Sequence, residues 1–313
     1  MVVIKTLFEM LVFPGLLFLL VLGLVFEYID RKFHARLQNR IGPPWFQPLA
    51  DIIKLFAKEH IIPDGIERTM FTLLPIIALT SVVTAAFYIP LISKPLFSFN
   101  GDIIMVLYLL TIPTLTFFLA GWFSLGPYSM VGAMRALTQL FAFEVPLFVG
   151  VLSPFLLAGT WSFPAMTAFY HLHPFYSLFN LLGFVIAIVA LLGKLEKTPF
   201  DIPEAETEIV AGSFTEYSGL LLGLFRMTVD VEMVVGASLL AAIFFPLWST
   251  NILIAVLLYL LKVTIIVLLL SYLRTIVARL RIDQLVNFCW RFAAPLGFLQ
   301  IFITIIVKGT VLS

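Results

Sequence analysis

The chain has 313 residues, of which 61% are hydrophobic and 12% charged, with a formal net charge of +1 and one cysteine. The charged share is about half the usual one, which excludes a pair of soluble domains and describes an all-α polytopic membrane protein. No basic arm is present to hold nucleic acid, and the lone Cys289 excludes a disulfide framework and any zinc or iron–sulfur site made from the chain's own thiolates.

A helix needs about 20 apolar residues to cross a bilayer. Eight transmembrane helices are predicted, at roughly 7–26, 70–92, 103–123, 139–158, 177–193, 218–245, 251–273 and 291–307. The first lacks a small-x-small cleavage pattern and reads as a retained span rather than a signal peptide. The whole of 1–313 is then one integral membrane domain with loops at 27–69, 124–138, 194–217 and 274–290. These loops, with Arg291 at the edge of the last, hold Arg31, Lys32, Arg36, Arg40, Lys54, Lys58, Arg68, Arg135, Lys194, Lys197, Arg274, Arg279 and Arg281. The opposite side has Lys5, Lys94 and Lys308. The positive-inside rule makes the basic side cytoplasmic and places both termini outside the cell membrane.

Loop 27–69 contains RIGPPWFQP, a Pro-rich aromatic turn, followed by LADIIKLFAKEHI. The spacing puts Leu49, Ile52, Ile53, Phe56 and Ala57 on one helical face and Asp51, Lys54, Lys58 and Glu59 on the other. That pattern predicts an amphipathic helix at the membrane surface. A second is predicted over Arg274 to Cys289, with Ile276, Leu280 and Leu285 inward. The two serve either as surface anchors or as a platform for a cytoplasmic partner.

Span four carries Glu144, whose burial in hydrocarbon costs about 2.5–3.5 kcal/mol unless it faces protein or water. Arg135 lies nine residues earlier, about 13 Å along a straight helix and too far for a direct pair. In the outer loop 159–176, His171 and His173 form an HxH pair with no third ligand nearby, and read as surface residues.

Residues 194–217, KLEKTPFDIPEAETEIVAGSFTEY, hold six of the eighteen acids: Glu196, Asp201, Glu204, Glu206, Glu208 and Glu216. Carboxylates crowded at a low-dielectric boundary repel one another, so some hold protons near neutral pH. Such groups suit a proton or cation path; a solvated acidic loop is the plainer alternative. Pro203 suits the first turn of a short helix, on which Glu204 and Glu208 would share a face. GLLLG, Gly219 to Gly223, permits close helix packing. Span six then holds Arg226, Asp230 and Glu232. The first two are four apart and are expected to pair, leaving Glu232 as a second intramembrane acid. Lys262, within span seven, needs a carboxylate partner or a wet cavity. No nucleotide, zinc-protease or serine-hydrolase motif occurs, and no inverted repeat is evident.

RLQNRIGP…QPLADIIKLFAKE, GAMRALTQLFAFEV, KTPFDIPEAETEIVAGSFTEYSG and RLRIDQLVNFCW are similar, in order from about Glu27 to Arg291, to the signatures of the NuoH family. This is subunit 1 of the respiratory NADH dehydrogenase, with homologues in membrane-bound NiFe hydrogenases and related archaeal complexes. The resemblance implies eight transmembrane helices joining a cytoplasmic redox arm to membrane subunits that move H+ or Na+. It implies that Glu144, Asp201, Glu204, Glu206, Glu208 and Glu216 belong to a chain of carboxylates leading from that arm into the membrane, to which the acids of span six, Asp230 and Glu232, are added here. The family docks its redox subunits at the basic loops, here Arg31, Arg36, Arg40, Asp51, Lys54, Lys58, Arg135, Arg274, Arg279 and Arg281. No cofactor is expected in this chain. Iron–sulfur clusters, and a NiFe centre in the hydrogenase case, belong to partner subunits. The implied partners are an iron–sulfur small subunit, a NiFe- or quinone-type large subunit, and antiporter-like and small membrane subunits.

Two departures bear on the electron acceptor. GPPWFQP is short where quinone-linked members carry a longer glycine-bearing insert, and Val229 and Asp230 stand where those members have Glu–Tyr, with an unusual Arg226 before them. Both argue for a ferredoxin-linked hydrogenase- or sulfur-reductase-type complex. The alternatives are the quinone-site subunit of an NADH or ferredoxin:quinone oxidoreductase, a structural anchor for the redox arm, and a free-standing secondary transporter.

Overall fold

The computed structural model describes residues 2–92, 94–246 and 251–311. The side chains of 2–5, 206 and 311 are excluded, so the expectations for Lys5 and the Glu206 carboxylate lie outside the described residues. The chain forms α1 (Val2–Leu11), α2 (Leu16–Leu37), α3 (Gln47–Ala57), α4 (Arg68–Tyr88), α5 (Asp102–Phe123), α6 (Pro127–Ala158) and α7 (Phe163–Leu172). A 3-10 turn, Pro174–Asn180, leads into α8 (Leu181–Lys194). The short α9 (Glu206–Ile209) precedes α10 (Gly219–Phe244) and α11 (Ile252–Ile276), and α12 (Ile282–Phe288) runs through a π turn into α13 (Ala294–Val311).

Among the described residues, eight helical segments are long and apolar enough to cross a membrane. They overlap the eight predicted spans, and the protein is an all-helical multi-pass membrane protein. Two are much longer than their apolar cores. The first reaches Leu37 and the fourth starts at Pro127, so much of the predicted loops 27–69 and 124–138 is helix. Helix formation continues past the apolar run because each extension makes side-chain bonds: Arg31 to Glu27 within a turn, and Arg135 to the loop opposite. Pro127 at the first turn of α6 costs no hydrogen bond, since that N–H has no intrahelical partner.

α10 is the centre of the bundle, packed against α2, α3, α4, α6, α8 and α11. Without a hydrophobic drive between helices in lipid, close packing rests on small residues. A Cβ on Gly150 of α6 would lie 2.9 Å from the carbonyl oxygen of Gly183 on α8, so the two backbones touch. Gly23 of α2 likewise lies against Asp230 of α10. The GLLLG glycines receive α3: a Cβ on Gly219, at φ +58°, would lie 2.8 Å from the carbonyl oxygens of Lys58 and Glu59, and one on Gly223 would meet the Phe56 ring.

α3 is the predicted amphipathic helix. Ile52 is buried against the bundle, while Leu49, Ile53 and Phe56 remain exposed as an apolar stripe. The second amphipathic helix does not form as expected. α11 continues to Ile276, which is 61% exposed, a connection follows, and α12 merges with the last span, with Leu285 alone of the three residues fully buried. The apolar run of span eight simply extends through the π turn at Cys289–Ala293, so no separate surface helix is needed.

Candidate functional site

The segment between α8 and α10 folds back against the helix ends. Gln139 of α6 donates to the carbonyls of Gly193 at 2.7 Å and Phe200 at 2.8 Å, and the Phe200 ring packs edge-on to Phe143. Further along, Gly212 sits at φ +55°, and its neighbourhood wedges against Gly132, where a Cβ would lie 2.5 Å from the Ser213 nitrogen. Beneath this corner Phe71 stacks on Tyr217 at 3.9 Å, and Phe117, Phe214 and Phe225 complete a small aromatic core.

Ion pairs join the segment to four helices or their ends. Lys197 reaches Asp30 at 2.6 Å and Glu27 at 3.1 Å on α2, and Arg274 of α11 meets the same Asp30 at 2.9 Å. Asp201 pairs with Arg279 at 3.1 Å, Glu204 with Arg226 of α10 at 3.1 Å, and Glu208 with Arg135 of α6 at 2.6 Å. Burial alone would lower the Lys197 pKa, but Asp30 and then Glu27 outweigh it and hold the amine above its ordinary value. The hydrogen bond from Arg135 holds the Glu208 carboxyl below its ordinary value.

Of these residues, Glu27, Lys197, Asp201, Glu204, Arg226, Arg274 and Arg279 border a cavity of about 610 Å³. Its wall carries the carboxylates Glu27, Asp51, Glu196, Asp201, Glu204 and Asp230 and the cations Arg31, Lys197, Arg226, Arg274 and Arg279. Arg31 bridges two of the acids, Glu27 at 2.6 Å and Asp51 at 2.8 Å. Burial would raise the Asp51 pKa, but hydrogen bonds from Arg31 and then Gln47 keep it below its ordinary value. Inward of the cavity, Lys194 lies 3.7 Å from Glu232, both fully enclosed. Lys194 also borders a small void of about 10 Å³ with Thr114, Gln139 and Glu144. One such volume holds about one water. Glu144 interacts electrostatically with Lys194, and Glu232 with both. Acidic groups thus run from the cavity through Glu196 to Glu232 and Glu144.

The structure brings together Asp201, Glu204 and Asp230 on the cavity wall, and Glu144 with Glu232 inside. Four expectations change. Glu204 and Glu208 do not share a helical face, because α9 begins only at Glu206 and each acid follows a different arginine. Pro203 therefore lies ahead of the helix rather than in its first turn. Arg226 pairs with Glu204 rather than with Asp230, which points instead to the cavity near Glu27, Lys197 and Arg31. Glu216 lies apart, beside Gly126 at the start of α6, and does not border the cavity. Lys262, half-buried on α11, does not border it either. Of the basic set, Arg31, Arg135, Arg274 and Arg279 are engaged within the chain, whereas Arg36, Arg40, Lys54, Lys58 and Arg281 are exposed. His171 and His173 are exposed, as read from the sequence. Glu27 and Asp30 escape the sequence reading because they follow the apolar run of span one and look like loop. The spacing of Glu27 four residues before Arg31 was the available signal for the first; the partners of Asp30, Lys197 and Arg274, lie far along the chain.

The NADH dehydrogenase family matches residues 9–305, nearly the whole chain. This chain belongs to the NADH dehydrogenase family. Among the family's curated members, an NADH-quinone oxidoreductase subunit of Dehalococcoides mccartyi is 35% identical over 294 residues, covering 92% of this chain and 83% of its own. Its counterpart in Carboxydothermus hydrogenoformans is 32% identical over 306 residues, covering 92% and 85%. A chain of the membrane-bound sulfane sulfur reductase, an archaeal respiratory membrane complex, superposes with a TM-score of 0.85 at 27% identity, covering 97% of this chain and 99% of its own. The resemblance read from the motifs is therefore sound, and the chain is a NuoH-like respiratory-complex subunit.

Proposed function

We propose that this chain is the membrane-arm connector of a redox-driven ion-pumping complex of the hydrogenase or sulfur-reductase type. It docks an iron–sulfur redox arm on its cytoplasmic face and carries part of a carboxylate path that couples electron transfer to H+ or Na+ translocation. One observation carries this reading: acids follow one another as neighbours from the charged cavity, through Glu196, to Glu232 and Glu144 inside the bundle. Buried acids are costly and are kept where charge must move. The exposed cations Arg36, Arg40, Lys54, Lys58 and Arg281 form the docking surface. The clusters, and a NiFe centre if present in the complex, belong to the partner subunits, with antiporter-like and small subunits completing the membrane arm. The excess of Lys and Arg on the loop side supports a cytoplasmic cavity and external termini.

The quinone-site reading has its own support, since the curated relatives named above are subunits of NADH-quinone oxidoreductases. The cavity wall argues the other way. Eleven of its eighteen residues are charged, whereas a ligand with a long apolar tail calls for a mainly apolar lining. The likeness to the sulfane sulfur reductase fits the same side.

The test uses the intact complex in vesicles, with ions moved per electron as the readout. Glu144→Gln and Glu204→Gln are each expected to lower that ratio about a hundredfold, the low end of what a lost proton-transferring group costs. Undiminished pumping in both variants removes the path. Ion flux through the purified chain without an electron donor would make it a free-standing transporter instead.

A further inference from the structure

Glu196 lies on the wall of the cavity, with one of its carboxylate oxygens enclosed. It follows Leu195, the cap residue of α8, at φ 51°, the left-handed conformation in which helices commonly end on glycine. A side chain there is strained, so glycine would be the easier residue. The backbone N–H of Glu196 closes the helix by donating to the Gly193 carbonyl at 3.2 Å. Its side chain borders the cavity, yet Oε1 is enclosed and receives no hydrogen bond from the protein. An enclosed carboxylate oxygen without a donor is poorly tolerated as an anion and well tolerated as part of a neutral acid. The charged groups that act on it lie on both sides. Glu204 and Arg226 stand on the cavity wall, and Glu232 and Lys194 stand inward. Burial, then Glu204 and Glu232, push its carboxyl well above the ordinary range.

We propose that Glu196 is the proton-carrying side chain that connects the charged cavity to the intramembrane Lys194–Glu232 pair. The inference rests on the carboxylate-path reading above. It names the species that crosses this step as a proton, because a single enclosed carboxylate oxygen cannot replace the ligand shell of a metal cation. The step moves no electrons. A hydronium ion in the cavity transfers its proton to the Glu196 carboxylate, an O–H bond forms, and water is left behind. That O–H bond then breaks as the proton passes to the Glu232 carboxylate, and the Glu196 anion is restored. Lys194, 3.7 Å from Glu232, offsets part of the charge on the acceptor before the proton arrives.

The experiment compares Glu196→Gln, Glu196→Gly and Glu196→Asp in the intact complex, in vesicles, by protons moved per electron and by infrared difference spectra of the carboxyl groups. The Gln and Gly variants are expected to lose about a hundredfold in that ratio, the Asp variant to retain part of it, and the band of a protonated carboxyl to vanish in the Gln variant. The Gly variant keeps the left-handed backbone without strain, so its complex assembles at least as well as the parent. Full pumping in the Gln and Gly variants, with pumping lost in Glu144→Gln, overturns the role of Glu196 and leaves the path intact. Full pumping in all of them overturns the path as well. Lost pumping with an unchanged carboxyl band makes Glu196 a structural residue and also overturns the proposal.

Discussion

Lys197 stands between Asp30 and Glu27 with a side chain only 12% exposed, and Arg274 shares Asp30 with it. Removing one partner of such a buried cluster leaves charge without compensation, which costs about 3–5 kcal/mol. Lys197→Met is expected to lose about 3 kcal/mol, at the low end because the cavity admits water. A lower thermal midpoint of the detergent-solubilised complex would show it, and an unchanged midpoint would mean that Arg31 and Arg274 suffice. The raised Lys197 pKa gives stability that is whole below the ordinary lysine value and lost only as pH climbs through the higher folded value. This clamp therefore does not respond to pH in the neutral range. At this scale the sequence was half legible. Glu144, Asp201, Glu204, Asp230 and Glu232 stand out as acids among apolar residues, but their partners depend on folding. Arg226 meets Glu204, twenty-two positions away in the chain, rather than the Asp230 four positions on, and no periodicity predicts that.

The element that decides the inner architecture is the segment from Leu195 to Ser218, and its fixed points differ in kind. At one end Gly132 accepts the chain so closely that a Cβ would lie 2.5 Å from the Ser213 nitrogen and 2.7 Å from the Gly212 Cα. Backbone cannot rotate away as a side chain can. Gly132→Ala is expected to destabilise by about 1–3 kcal/mol and to loosen 211–215, measured as faster hydrogen exchange there; unaltered exchange would show that α6 shifts instead. In the middle, Glu208 is surface-exposed and its pKa is depressed by Arg135. Its contribution is present above the ordinary glutamate value and lost as pH falls through the lower folded value. Exchange across 206–209 should therefore rise on acidification below about pH 4, while Arg135→Ala should show the faster rate already at neutral pH. A pH-independent rate would mean that the pair does not hold α9. The sequence located this element by its acids and prolines but misjudged its helix. Glu204 is bound sideways to α10, which keeps it out of the turn that Pro203 would otherwise begin.

For the molecule as a whole, the eight crossings were readable because hydropathy alone determines them in lipid. The lengths of the first and fourth were not, since the helices continue through charged residues whose partners lie far along the chain. The two halves of the bundle are held by different forces. The half that carries the basic loops is joined by ion pairs around a cavity. Further out, α6 and α8 touch backbone to backbone at Gly150 and Gly183. Gly150 lies six residues beyond Glu144, about 9 Å along the helix. Were charge to reach Glu144 by the path proposed above, it would meet this close backbone contact on that line. On the carboxylate path proposed above, the onward route would then be lateral, out of the flank of α6, and the tight seam would limit leakage straight across the bilayer.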